Sequence, residues 1–415
     1  MGNTDEQNGA ALQAVKALGL ALLEAGRSTR GATNKAEDAA RAWGLPHAEV
    51  HGMGRTLLVQ SGCANGMDVS TVGSVGSVDN FNCDQMKRLR AVSADIETGQ
   101  MGPTEAIREI AVATRLHRSW LWLTAGGTLL ALCVALQVTS SLLAAVFAAL
   151  IYPLNAGLRQ LLAPLQIPRL FLMLVQSAFI GLLGIAAAAL GLPLGDAVVA
   201  VAVNWMLLVP LPQVIGVVVD SVNGDAHAAH VRLNSLACAV GGILIGAAAV
   251  VGLAGVILPD APTVSLELPT LPWFGVLIFC VLGAVGNAIA NSGGNDLLVP
   301  AAFIGAGAAL CSLALGHLGL PGAWSAGLTA AVLGIVAAFW AHRSAYSATA
   351  LTLVGLTGAL LPGLVLVQGL RAVLDHTPSY PYFLEVAGTV LALGVGTSMG
   401  FAIAAHLLRK DPHRV

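Results

Sequence analysis

The sequence predicts a mainly α-helical, polytopic membrane protein of about ten transmembrane helices, in two inverted five-helix repeats, behind a small α+β cytoplasmic N-terminal domain. Of its 415 residues, 56% are hydrophobic, and the mean hydropathy is +0.79. Only 10% are charged, against roughly 25% in soluble proteins. The charges are uneven, since 25 of the 42 precede Ser119. A soluble segment is therefore followed by a membrane region.

An internal repeat is the second observation. The stretch from Val209 to Gly246 returns in altered form between Leu361 and Gly400. Each copy has a proline in an apolar run, then a glycine, a short polar break and a second apolar run. The prolines are Pro210 and Pro362, and the second runs end in the pairs Gly242/Gly246 and Gly396/Gly400. In a membrane protein such a repeat is typical of a transporter built from two related halves.

The soluble segment, residues 1–118, is expected to form an α+β domain. Apolar residues at helical spacing predict one helix over 10–25, and a second is expected over 33–43. Asp84 is expected to cap a third helix, and Pro103 suits the first turn of a fourth. β-like runs separated by glycine-rich turns cover 48–53, 56–60 and 67–72.

Ten apolar stretches are long enough to span a bilayer, which takes about 20 residues. The first membrane repeat, residues 119–258, is expected to span at 119–137, 140–158, 170–190, 196–219 and 231–257. The second, residues 271–408, is expected to span at 271–290, 297–316, 322–341, 346–370 and 382–407. Because five is odd, two homologous halves must enter the membrane in opposite directions, which makes the repeat inverted.

The distribution of Lys and Arg predicts the orientation. If the N-terminal domain is cytoplasmic, the predicted outside loops carry one basic residue, Arg371. The predicted inside loops carry Arg159, Arg169, Arg232, Arg343, Arg409, Lys410 and Arg414. The positive-inside rule then places both termini in the cytoplasm and residues 258–270 outside.

The proline breaks are the candidate substrate site. A proline near mid-membrane frees backbone carbonyl and amide groups, and these can bind a zwitterion. Pro210 and Pro362 are therefore predicted to contribute to a substrate site, although a plain packing kink is the alternative. Asn204, Gln213 and Gln368 flank the breaks and could hydrogen-bond an amino or hydroxyl group, or could instead join helices.

Acidic residues near the spans are the candidates for proton coupling or gating. A charge at the centre of a membrane costs at least about 2.5–3.5 kcal/mol, so such acids often have a function. Asp220 ends the fourth span, with Arg232 as its expected partner. Asp296 opens the seventh span and Glu385 lies just inside the tenth. For each acid the alternative is a solvated helix end.

Three stretches resemble the threonine/serine exporter family. They are ALLEAGRSTRGATNKAEDAARAWGL (21–45), LLVPLPQVIGVVVDSVNGD with the following Arg232-Leu233 (207–233), and HRSAYSATALTLVGLTGALLPGLVLVQGL (342–370). Val219-Asp220 replaces an Arg-Asp pair that is usual in the family, and Gly216 stands at the place of an Asn. The resemblance implies a cytoplasmic domain, ten spans in two halves, and export of small hydroxy amino acids across the bacterial inner membrane, driven by the proton-motive force.

Two other functions are weighed against amino-acid export. A two-component branch related to that family is associated with dicarboxylate export, but an anionic substrate favours fixed cations, which the spans almost lack. A membrane-embedded enzyme is disfavoured, because the G-x-S-x-G pattern at 396–400 lies in a predicted span rather than at a strand–turn–helix junction. We expect protons, a small amino acid and the lipid bilayer as partners, and no cofactor, metal or nucleic acid. Homo-oligomerisation is left open.

Overall fold

The structure, a computed structural model, describes residues 2–62, 68–76, 81–257, 271–360, 362–374 and 377–409. Within these residues the chain is mainly helical, with one three-stranded sheet. The predicted outside loop, 258–270, lies outside the described residues, as does Leu361 beside the second proline break.

The N-terminal domain has the predicted α+β composition. Its helices and strands are α1 (Gly2–Glu24), α2 (Thr29–Ala42), β1 (Glu49–Met53), β2 (Thr56–Gly62), β3 (Asp68–Ser74), α3 (Cys83–Glu97) and α4 (Pro103–Arg115). The strands form an antiparallel sheet in the order β1-β2-β3, with Val50 opposite Val59 and Val59 opposite Thr71. Leu57 and Val59 are buried, because one sheet face packs against α1 and α2.

The cap of α3 differs from the prediction. Asn82, not Asp84, is the N-cap residue, and its side chain accepts a hydrogen bond from the Gln85 amide at 3.0 Å. Asp84 lies in the first turn instead and pairs with Arg88 and Arg118. Both residue types stabilise a helix start, Asn82 as a cap and Asp84 by its negative charge in the first turn.

The membrane region consists of two runs of six helices. The first run is α5 (Trp120–Val138), α6 (Leu142–Leu162), α7 (Arg169–Ala189), α8 (Leu194–Leu208), α9 (Leu211–Val222) and α10 (Ala226–Ile257). The second is α11 (Trp273–Ala290), α12 (Asn295–His317), α13 (Gly322–Ala341), α14 (Ala348–Leu360), α15 (Gly363–Leu374) and α16 (Tyr380–Arg409). In each run the fourth predicted span is divided in two, as α8/α9 and α14/α15.

Nine helical segments among the described residues are long and apolar enough to cross a membrane. They include α8 and α9 taken together, whereas α14 and α15 are shorter apolar helices on either side of the second break. These segments identify a multi-pass membrane protein. The predicted count of ten depends on whether α14 and α15 together make one further span.

The first helices of the two runs, α5 and α11, pack antiparallel. A β-carbon at Gly126, near the start of α5, would lie 2.6 Å from the Ala290 amide nitrogen at the end of α11. At the other end of α5, the Gln137 side chain donates to the Phe279 carbonyl at 3.3 Å. The glycine lets the two backbones approach closely.

The repeated glycine pairs serve close packing in both halves. A β-carbon at Gly242 or Gly246 would lie 2.2 or 2.5 Å from the carbonyl oxygens of Leu170 and Leu174 in α7. The corresponding distances are 2.0 Å from Gly396 to the Gly327 carbonyl and 2.3 Å from Gly400 to the Ala331 carbonyl, both in α13. No side chain fits at these positions, so the glycines of α10 and α16 allow the backbones to touch.

Candidate functional site

Both predicted breaks are present as helix ends. The helix α8 ends at Leu208, and α9 resumes at Leu211 after Pro210. The helix α15 begins at Gly363, directly after the buried Pro362. A helix end leaves up to four carbonyls or amides without partners inside the helix, and proline itself has no N–H. At the first break the amides of Leu211, Gln213 and Val214 already donate to the carbonyls of Val209 and Pro210, so the open backbone groups are carbonyls at the end of α8 and amides at the start of α15.

The two breaks approach one another. A β-carbon at Gly363 would lie 3.4 Å from the Cε atom of Met206, which is in the last turn of α8. It would also lie 2.8 Å from Val138 at the end of α5. The start of α15 therefore packs against the end of α8, close to Pro210.

The predicted pair of Asp220 and Arg232 is present and buried. The Nε atom of Arg232 donates to Oδ2 of Asp220 at 2.9 Å, and the side chains are 4% and 0% exposed. Asp220 lies in the last turns of α9 and Arg232 in the second turn of α10. The turn at 223–225 folds α10 back onto α9, which brings the two residues together. Because both charges are buried, loss of either one would leave an unpaired charge in the protein interior, which is strongly destabilising.

Arg232 also joins this pair to the N-terminal domain. Its NH2 group donates to the Arg27 carbonyl at 2.9 Å, and its NH1 group approaches Oε1 of the buried Gln213 at 3.5 Å. Gly216 makes room for it, since a β-carbon there would lie 3.1 Å from Cδ of Arg232. The absence of a side chain at Gly216 thus allows the arginine to lie across α9.

Two buried oxygen atoms at this site have no hydrogen-bond partner among the described residues. They are Oδ1 of Asp220 and Oγ1 of Thr29, the first residue of α2. An unpaired buried acceptor costs free energy unless water, a proton or a ligand satisfies it. One oxygen of Asp220 therefore holds Arg232, and the backbone amide of Thr29 faces the same carboxylate from the N-terminal domain.

The predicted residue Asp296 belongs to a separate cluster. Its side chain is 49% exposed at the start of α12 and pairs with Lys87 of α3 at 2.5 Å. The Tyr346 hydroxyl donates to it at 2.8 Å and accepts from the Gly294 amide at 3.2 Å. Burial, and then the hydrogen bond to Asp296, raise the pKa of Tyr346, so its hydroxyl stays protonated and can donate. Asp296 is thus an ion-paired carboxylate at the place where the N-terminal domain meets the membrane region.

The remaining predicted residues lie apart from these clusters. Asn204 is buried in α8, and its amide group donates to the Ala148 carbonyl at 3.0 Å and to the Ala200 carbonyl at 2.9 Å. It therefore joins α8 to α6. Gln368 is half-buried in α15, and Glu385 is exposed near the start of α16, facing Gly322. A substrate role for Asn204 and Gln368, and a coupling role for Glu385, stay predictions.

Sequence reasoning missed two buried polar residues. Asn287 of α11 donates to the carbonyls of Leu353 and Val354 at 3.3 and 3.1 Å, which joins α11 to α14. Tyr346 is 2% exposed and organises the Asp296 cluster. An Asn near the end of an apolar span was a visible signal for the first, since such residues commonly join helices. The second opens the predicted span 346–370, but nothing in that stretch indicated a hydrogen-bonding role for its hydroxyl.

An apolar cleft of about 80 Å³ lies elsewhere in the membrane region. Trp205, Val250 and Leu370 are among its lining residues, which come from α7, α8, α10 and α15. It contains none of the predicted site residues and offers almost no polar surface. Such a lining does not suit an amino-acid zwitterion.

A comparison with family models identifies one match. Residues 13–254 match the family model described as "Putative threonine/serine exporter" (ThrE). This range covers more than half of the chain, from α1 of the N-terminal domain to the last turns of α10, and so includes Pro210, Gln213, Asp220 and Arg232. No significant match is found among curated proteins or solved structures.

Proposed function

We propose that this chain, which belongs to the threonine/serine exporter family, exports threonine and serine across the bacterial inner membrane in exchange for protons. The main support is that the matched range contains a helix broken by a proline. It also contains the buried ion pair of Asp220 and Arg232, which lie twelve residues apart in the sequence. Broken helices and buried ion pairs are features that secondary transporters use.

The proposal includes an inverted repeat with ten spans. Two observations support it. The fourth span of each run is divided at a proline. In each run a glycine pair in the last helix, α10 or α16, packs directly against the backbone of the third helix, α7 or α13. Moreover, α5 and α11 run antiparallel, as the first helices of inverted halves do. The pair α14/α15 is then the ninth span, and both termini lie in the cytoplasm.

We place the substrate between the two breaks. The proximity of Gly363 to Met206 supports this placement, as do the backbone carbonyls at the end of α8 and the backbone amides at the start of α15. A zwitterion needs donors for its carboxylate and acceptors for its ammonium group, and helix ends provide both. Pro210 and Pro362 shape this site, with Gln213 and Gln368 as polar neighbours and Asn204 holding α8 in place.

Charge favours an amino acid over a dicarboxylate. Arg232, the buried cation nearest to the first break, is paired with Asp220 at 2.9 Å, so that pair is neutral overall. A dicarboxylate would bring two negative charges into a site with no compensating charge from this pair. We therefore expect the protein not to transport succinate.

Asp220 is our candidate for the proton-carrying group. A proton moving down about 100 mV releases roughly 2.3 kcal/mol. At about 1.4 kcal/mol per tenfold ratio, one proton supports a nearly fiftyfold gradient of a neutral zwitterion. Oδ1 of Asp220 is the atom that would accept the proton, because Oδ2 is held by Arg232.

Reconstitution tests the proposal directly. Purified protein in proteoliposomes is loaded with labelled threonine, serine or succinate, and efflux is measured with and without a pH gradient. We expect efflux of threonine and serine that the gradient accelerates, and no more succinate efflux than from protein-free vesicles. Efflux of succinate alone, or of none of the three, would contradict the proposal.

A further inference from the structure

The N-terminal domain holds the first half of the membrane region at the α9–α10 turn. The Arg27 carbonyl accepts from Arg232, and Arg30 donates to the Asn223 carbonyl at 3.1 Å. Gly54, in the turn between β1 and β2, packs on α10, since a β-carbon there would lie 2.7 Å from Val231. These contacts come from the α1–α2 turn, the first turn of α2 and the β1–β2 turn of the domain.

A different part of the domain, the helix α3, holds the second half. The Cys83 amide donates to the Asn291 carbonyl at the end of α11 at 3.0 Å, and Lys87 pairs with Asp296 at the start of α12. Arg90 donates to the Tyr346 carbonyl at 2.7 Å, between α13 and α14, and to the Ala341 carbonyl at 3.0 Å, at the end of α13.

These two contact regions belong to one rigid unit. The Asn82 amide, at the start of α3, donates to the Ala25 carbonyl in the α1–α2 turn at 3.2 Å. The buried core of the domain also continues without a break into both halves, since Leu18 and Leu89 belong to the same cluster as Ile215 and Leu351. Relative motion of the two halves at this end must therefore break one set of contacts.

We propose that the N-terminal domain is a clamp that holds the two halves of the membrane region together and must release the second half in every transport cycle. The inference rests on the proposed transport function, because alternating access requires one part of a transporter to move against the other. The contacts to the end of α11, to the start of α12 and to the α13–α14 junction are the ones that open. The α9–α10 contacts stay closed, because they include the buried Arg232, whereas Lys87 and Asp296 are 33% and 49% exposed.

The Lys87–Asp296 pair allows the clamp to be closed covalently. A carbodiimide activates a carboxylate, which then forms an amide with an amine in contact with it, so no linker is added. Both side chains are exposed enough for the reagent to reach them. The variant Lys87→Arg keeps the positive charge but provides no amine for coupling. It therefore controls for modification of every other carboxylate in the protein.

Carbodiimide treatment should lower threonine efflux from proteoliposomes about tenfold in the parent, in proportion to the Lys87–Asp296 peptide found by mass spectrometry. The Lys87→Arg variant treated in the same way should keep its efflux. Full efflux from the linked parent, or an equal loss in the variant, would overturn the clamp.

A second measurement does not depend on transport. Lys87→Met should raise hydrogen exchange of the segment around Cys83 by about threefold, because that amide is protected by its bond to Asn291. Lys35→Met is the matched control, since Lys35 pairs with Glu97 inside the domain. If no substrate is transported but this exchange rises, only the transport function has failed. If exchange is the same in both variants, the clamp is wrong.

Discussion

Neutralising Asp220 tests how strongly the buried pair holds the α9–α10 turn. The substitution Asp220→Asn keeps the shape and one acceptor oxygen but removes the negative charge. Arg232 then remains a buried cation without its carboxylate, and the Arg27 carbonyl and Gln213, both neutral, are among the acceptors that still face it. We expect the variant to be destabilised and its N-terminal domain to be held less tightly.

The structure sets the magnitude of this loss. At 2.9 Å and an effective dielectric constant of about 20, the attraction between the charges is roughly 6 kcal/mol. Removing one partner of a buried pair typically costs about 3–5 kcal/mol, since the remaining partners relax around the charge that is left. At roughly 2 °C per kcal/mol for a protein larger than 150 residues, the expected fall in Tm is about 6–10 °C.

The assay is thermal unfolding of the purified protein in detergent, with Asp225→Asn as the matched control. Asp225 accepts a hydrogen bond from the Ala228 amide at 2.9 Å at the start of α10, and Asn caps a helix about equally well. The control should therefore leave Tm nearly unchanged. The double variant Asp220→Leu/Arg232→Met should regain most of the loss, because an apolar pair leaves no buried charge.

Either of two results would refute this reasoning. If Asp220→Asn melts within about 1 °C of the parent, the pair is solvated rather than buried. If the double variant is as unstable as the single one, the cost arises from lost contacts and not from an unpaired charge.

Three further outcomes are expected. Gly396→Ala should abolish correct folding or lower Tm strongly, since its β-carbon would lie 2.0 Å from a carbonyl oxygen. Gly388→Ala, in open space on the same helix, is the control and should stabilise the protein by about 0.5–1 kcal/mol. Equal melting temperatures for the two variants would contradict the packing role of Gly396. Tyr346→Phe should cost about 1–3 kcal/mol in thermal unfolding because the Gly294 amide loses its acceptor, and an unchanged Tm would show that water replaces the hydroxyl. Thr263→Cys should react with an impermeant maleimide in intact cells, and reaction only after lysis would contradict the inverted topology.

Local patterns in the sequence determined the helices, their breaks and several of their packing surfaces. Long apolar stretches predicted the spans because a membrane-spanning helix satisfies its own backbone, whatever its neighbours. The breaks followed from proline chemistry at Pro210 and Pro362, and the glycine pairs predicted close helix packing. The partner of Asp220 could also be predicted, because Arg232 lies twelve residues away across a single turn.

Only the tertiary structure determined how the N-terminal domain meets the membrane region. Lys87 and Asp296 are 209 residues apart, and Arg90 lies 256 residues from Tyr346. Seen in sequence, Asp296 is an acid at a helix start, and Tyr346 is the first residue of a predicted span, with nothing to mark it as a hydrogen-bonding residue. Their roles follow from the docking of α3 on the junctions of the second half. That docking is a sum of many small contacts between distant segments, and neither hydropathy nor local spacing encodes it.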